Sequence, residues 1–155
     1  MKRTILLLAA LLGVWNTVSG QDSSASQKGE TPKRRVAKTG ATPNGLFSPA
    51  IISGDLVFVS GQIGIDSKTG QLAEGLEGQF EQVFKNLTAV LEAAGSSKEH
   101  ILKATVFLMD MNDYNAMNEL YRKQFKADPP ARTAVQVAKL PRDARIEIEV
   151  VAVLK

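Results

Sequence analysis

The chain has 155 residues, 44% of them hydrophobic and 23% charged, enough for one domain with a modest core. It has no cysteine and a single histidine, His100. That excludes disulfides, thiolate metal sites, Fe–S clusters, a Cys nucleophile, a lipidated Cys anchor and zinc sites built from several histidines. The net charge of +3 comes from the N-terminal segments: residues 1–20 carry +2 and residues 21–39 carry +3, while residues 40–155 hold 12 basic against 14 acidic groups. The expected domain is therefore slightly acidic and carries no electrostatic footprint for nucleic acid.

Residues 1–20 have the pattern of a secretory signal. Lys2-Arg3 precede an apolar run from Ile5 to Val14, too short to span a bilayer, and Val18-Ser19-Gly20 offers small residues for cleavage before Gln21. The expectation is a periplasmic or secreted protein with no stable membrane anchor after cleavage. Residues 21–39 are polar with almost no large apolar side chains, the composition of a flexible tail, and Lys33-Arg34-Arg35 read as a solvated charge run. The domain is expected over residues 40–155.

Within it, Leu56 to Val59 is a short β-type run and Asp66 to Gly70 a turn. Leu76, Phe80, Val83, Phe84, Leu87, Val90 and Leu91 form one apolar helical face, stopped by Gly95. Asn86 heads a sequon but falls inside this helix, a poor setting for a glycan. Ala104 to Leu108 reads as a strand. Asn112 or Asp113 can cap a second helix with Tyr114, Met117, Tyr121 and Phe125 on one face, ended by Pro129-Pro130. Thr133 to Ala138 and Ile146 to Val153 read as further strands.

The last strand has two distinct faces. Ile146, Ile148, Val150 and Ala152 share one, suited to lie under two helices. Glu147, Glu149, Val151 and Val153 share the other, half apolar and half acidic. Two helices cannot cover both faces of a sheet, so the second face calls for another sheet, most economically that of a further copy of the chain.

Leu56-Val-Phe-Val-Ser-Gly-Gln-Ile63, Lys103-Ala-Thr-Val-Phe-Leu108, Pro130-Ala-Arg-Thr-Ala-Val-Gln-Val-Ala-Lys-Leu-Pro141 and Arg145-Ile-Glu-Ile-Glu149 together resemble the RidA/YjgF family of reactive intermediate deaminases, also called the translation-inhibitor endoribonuclease family. The resemblance implies an α+β, chorismate-mutase-like fold: a mixed sheet with two helices on one face, assembled as a homotrimer around a central barrel. It implies active clefts between neighbouring subunits. Its usual chemistry is hydrolysis of enamine and imine acids, such as 2-aminoacrylate, to 2-keto acids and ammonia, without metal or organic cofactor.

Arg132 matches the family's carboxylate-binding arginine; a planar guanidinium holds a carboxylate through two parallel hydrogen bonds that Lys cannot reproduce. Its alternative is a structural ion pair with an acid. Glu147 matches the glutamate that handles the hydrolytic water. Burial raises its pKa and a nearby Arg132 lowers it, so the sequence leaves the balance open. Glu149 shares its face, and only the resemblance selects Glu147. Ser60, before Gly61-Gln62, matches a substrate-contacting serine or is a turn residue. Ala134 stands where the family often has Cys, and its backbone would serve the site. Tyr114 and Asn118, one helical turn apart, match pocket positions. Phe47 departs from the pattern: Gly45-Leu46-Phe47 replaces the common Gly-Pro-Tyr, keeping the ring and losing the hydroxyl. His100 matches no catalytic position and reads as a surface residue. Two alternatives stand beside the deaminase: a trimer that binds small carboxylates without turnover, and an endoribonuclease, disfavoured by the domain's charge and the lack of a catalytic His.

Overall fold

The computed structural model describes residues 35–36, 46–125 and 127–155, all within the unit Thr31–Lys155. The expected signal at 1–20 and nearly all of the segment 21–39 lie outside the described residues. Two residues of that segment do not follow the expectation of a free tail: Arg35–Val36 form strand β1, paired antiparallel with β2 (Ala50–Ser53). The edge of β2 offers unpaired backbone N–H and C=O groups, which polar residues can satisfy through main-chain bonds alone.

The remaining elements are β3 (Leu56–Ile63), α1 (Gly75–Ala94), β4 (Ile101–Leu108), α2 (Tyr114–Gln124), β5 (Ala131–Gln136) and β6 (Ile146–Val153). They give a six-stranded mixed sheet in the order β1-β2-β3-β6-β4-β5, antiparallel except for the β4–β5 pair. Both helices pack on one face, as the α+β reading expected. The first strand that the resemblance implies at Gly45-Leu46-Phe47 falls later, as β2, and β5 begins two residues earlier than expected, which brings Arg132 into the strand.

The helical face of α1 is the expected one. Phe80, Val83, Leu87 and Leu91 are buried against Val57, Val106, Ile146 and Ile148. Full burial of each such side chain contributes about 1.5–3 kcal/mol. Gly95 closes the helix at φ 86°, its N–H donating back to the carbonyls of Leu91 and Glu92, a conformation a Cβ would disfavour. The start of α2 differs in part from expectation. Asp113 stands at the N-cap position as expected, but its side chain makes no capping hydrogen bond; Asp110 caps the tight turn before it, its carboxylate accepting from the Asn112 N–H at 2.9 Å. The Asp113 side chain is taken by Arg145, through Nη2 at 2.6 Å and Nε at 3.1 Å. Helix α2 ends at Gln124, ahead of Pro129, and Phe125 turns extended to stack beside Phe84 and Tyr121.

Strand β6 is two-faced as expected. Ile146, Ile148, Val150 and Ala152 are buried beneath the helices, while Glu149 is exposed and Glu147, Val151 and Val153 are half-buried. The same open face carries Leu56, Phe58 and Val135, 37%, 44% and 38% exposed.

Candidate functional site

The α2 side of the sheet holds the guanidinium. Parallel pairing of Arg132 with Ala104, a buried residue of the helix face, turns the Arg132 side chain toward α2. Its Nη2 donates to Asn118 Oδ1 at 2.6 Å and its Nη1 to Met117 Sδ at 3.5 Å. Its Cζ lies 4.6 Å from the Tyr121 ring centroid and 5.9 Å from that of Tyr114. Two cation–π contacts and a hydrogen bond fix the plane of the group, and its remaining N–H donors stay available. No carboxylate pairs with it among the described residues, so the structural ion pair is not what holds it. Ala134 follows two residues on, on the same face of this edge strand.

Tyr121 was read as a core residue only; it is also the platform under Arg132. The signal was present, since Tyr114, Asn118 and Tyr121 recur at helical spacing on the face that meets β5. Its hydroxyl is buried with no hydrogen-bond partner among the described residues, and burial pushes its pKa up to about 12, against the opposing pull of Arg132.

Glu147 lies on the opposite face. It pairs with Phe107 on β4 and Ile63 on β3, and with Phe47, Ser60, Gly61, Ile63 and Pro141 it lines an open depression of about 350 Å3. Burial raises its pKa, and the charge of Glu149 on the same strand adds to the rise. The expectation that Arg132 lies nearby and lowers it fails within one chain. The two side chains leave opposite faces of the sheet, and their registers differ by three residues along β4, roughly 10 Å.

The Ser60 hydroxyl donates to the Ser48 carbonyl at 2.7 Å, and the Ser60 N–H to the Pro49 carbonyl at 3.0 Å. Ser60 thus pins the segment that carries Phe47 beside Glu147, and it lines the same depression. Phe47 itself is 59% exposed. Asn86 is committed to structure: its Nδ2 donates to the carbonyls of Ile63 and Ile65, tying α1 to the end of β3. His100 bonds Ser97 at 2.8 Å, at the other end of β4 from Phe107. Among the described residues no three His, Asp or Glu side chains gather closely enough to hold a metal ion.

A planar guanidinium and a carboxylate of raised pKa, neither with a partner of opposite charge among the described residues, are thus mounted on one sheet. The family described as Endoribonuclease L-PSP matches residues 38–154. The chain belongs to this family, which includes the RidA proteins. It is 44% identical over 123 residues to the human 2-iminobutanoate/2-iminopropanoate deaminase, covering 77% of this chain and 90% of that one. It is 49% identical over 111 residues to a RutC family protein of Pyrococcus horikoshii, 71% and 88% of the two chains. Among solved structures it is similar to RidA of the Antarctic bacterium Psychrobacter, with TM-score 0.71 and 39% identity over 81% of this chain and 99% of that one.

Proposed function

We propose that the protein is an imine deaminase of the RidA type. It would hydrolyse enamine and imine acids, such as 2-iminobutanoate and 2-iminopropanoate, to 2-keto acids and ammonia. Its clefts would be completed between copies of a homotrimer. The observation that carries this reading is the placement of Arg132 and Glu147, unpaired among the described residues, on opposite faces of one sheet. A single protomer holds two half-sites, and the open face bearing Leu56, Phe58, Val135 and Glu147 is the surface a second sheet would cover. The 44% identity to a protein named as such a deaminase supports the same chemistry.

In this reading the Arg132 of one copy holds the substrate carboxylate bidentately, and the Glu147 of the next faces the C=N carbon. A protonated imine is already electrophilic, so the remaining tasks are positioning water and moving protons. The Glu147 carboxylate takes a proton as the water oxygen bonds to carbon. The tetrahedral adduct then receives that proton on nitrogen. Glu147 takes the adduct's hydroxyl proton as the C–N bond breaks and the C=O bond forms, ammonia and the 2-keto acid leave, and the proton on Glu147 passes to solvent. Burial of Glu147 brings its pKa closer to that of a working base.

The test is competition for a trapped imine. An amino-acid oxidase supplies imino acids, semicarbazide traps them, and the protein is expected to lower semicarbazone formation. Arg132→Ala is expected to lose roughly 100-fold or more of that activity, from loss of a bidentate charged contact. An Arg132→Ala variant as active as wild type would remove the assignment. Phe47 lines the Glu147 depression without a hydroxyl, which favours a second reading, a carboxylate-binding trimer. Binding of 2-ketobutyrate in calorimetry with no imine turnover would select it. The signal-like residues 1–20 add export to the proposal; sequencing of the exported protein is expected to begin near Gln21, and a Met1 start would refute cleavage.

A further inference from the structure

We infer that Gly61 is a positioning residue, whose missing side chain is the seat of the Glu147 carboxylate. The inference rests on the deaminase reading for its consequence and on geometry for its content. Val59 pairs with Val150 and Gln62 with Ile148, so Ser60 and Gly61 together oppose the single residue Glu149. This bulge puts one extra residue of β3 on the open face, where such irregularities re-aim neighbouring side chains. A Cβ built on Gly61 would stand 1.8 Å from Glu147 Oε1, 2.8 Å from its Cδ and 3.2 Å from its Cγ. The carboxylate therefore lies directly on the Gly61 backbone. The backbone of Gly61 is not in the positive-φ region that favours glycine, so the close approach is the reason for glycine here.

The atom in the way is the free end of a flexible side chain. Alanine at 61 would therefore displace the carboxylate by roughly 1.5 Å to restore ordinary contact, leaving the strand in place. A misplacement of that size at a reacting group costs about 100-fold in rate. Binding of the substrate carboxylate, assigned to Arg132 on the other face, is left alone. Among the described residues the charged group facing Glu147 is Glu149 on its own strand; Phe107, Ile63, Phe47 and Pro141, from the other elements around it, carry none.

The experiment compares wild type, Gly61→Ala, Glu147→Asp and the double variant, as assembled protein, in kcat, KM and the pH profile. The Glu147 carboxyl titration is followed by carbon NMR. Gly61→Ala is expected to lower kcat about 100-fold with KM within about twofold. The Glu147 titration should move down toward the ordinary carboxylate range as the group is pushed into solvent. In the Glu147→Asp background the carboxylate is one methylene shorter and clears the added methyl, so the same change should cost less than about threefold. Equal losses in the two backgrounds, or an unmoved Glu147 titration in Gly61→Ala, would overturn the inference. If wild type turns over no imine, the deaminase reading falls instead, and the titration comparison alone decides whether Gly61 seats the carboxylate.

Discussion

The two faces of the sheet treat their charged residue in opposite ways. On the helix face, Arg132 is clamped by its own chain: the Asn118 oxygen at 2.6 Å, the Tyr121 ring beneath it and Tyr114 beside it. On the open face, Glu147 rests on bare backbone, among Phe47, Ile63 and Pro141, with no counter-ion among the described residues and a raised pKa. The guanidinium is preorganised because α2 and the aromatic cluster were already required by the core. The carboxylate is left half-solvated and under-partnered, which is unfavourable for an isolated protomer and useful once a second surface covers it. A side chain's worth in a site is thus set by which layer of the fold it faces, not by its charge alone.

The largest effect that would sharpen this contrast is at Glu147. Glu147→Gln keeps the shape and removes the base, and is expected to lower kcat by about 10²–10⁴-fold, with 2-ketobutyrate still bound through Arg132. A folded-state pKa raised above the unfolded one means the folded state holds its proton longer. The contribution of Glu147 to stability is therefore best below its unfolded pKa and is lost as pH rises through the folded pKa. Catalysis needs the opposite form, so the acid limb of kcat/KM should lie above the ordinary carboxylate range in wild type. An acid limb at an ordinary glutamate value would mean that covering the open face reverses the effect of burial.

A comparable loss should follow from keeping both residues and separating the copies. Phe58, 44% exposed on the open face and flanked by Ile51 and Val151, can become Lys without burying a charge in the protomer core. Phe58→Lys is expected to give a folded monomer by light scattering, with native circular dichroism and no turnover. A fully active monomer would break the idea that the two half-sites belong to different copies. The smallest effect lies under Arg132. Tyr121→Phe keeps the stacking ring and removes a buried hydroxyl that has no partner among the described residues, so thermal stability is expected to rise by about 1 kcal/mol. A fall would point to a bound water or a partner from a second copy on that oxygen.

Much of this molecule was legible locally. The spacing from Leu76 to Leu91 named the buried face of α1, and the alternation from Ile146 to Val153 named both faces of β6, because side-chain direction repeats every 3.6 or two residues. That the helices leave one face of β6 open also followed from alternation and the count of helices. Arg132 and Glu147 were identifiable as residues, through the flanking motifs. Their relation was not. Only the pairing of β5 with β4 at Ala104–Arg132 turns the guanidinium toward α2, and only the pairing of β6 at Phe107–Glu147 turns the carboxylate away. The commitment of Asp113 to Arg145, of the Ser60 hydroxyl to Ser48, and of the Glu147 carboxylate to the bulge at Gly61 depends on residues between 12 and 86 positions apart. Local sequence fixes which side chains share a face, since that follows from backbone geometry. Which face meets a helix, a neighbouring strand or open space depends on registers between distant segments, and those exist only once the whole sheet has formed.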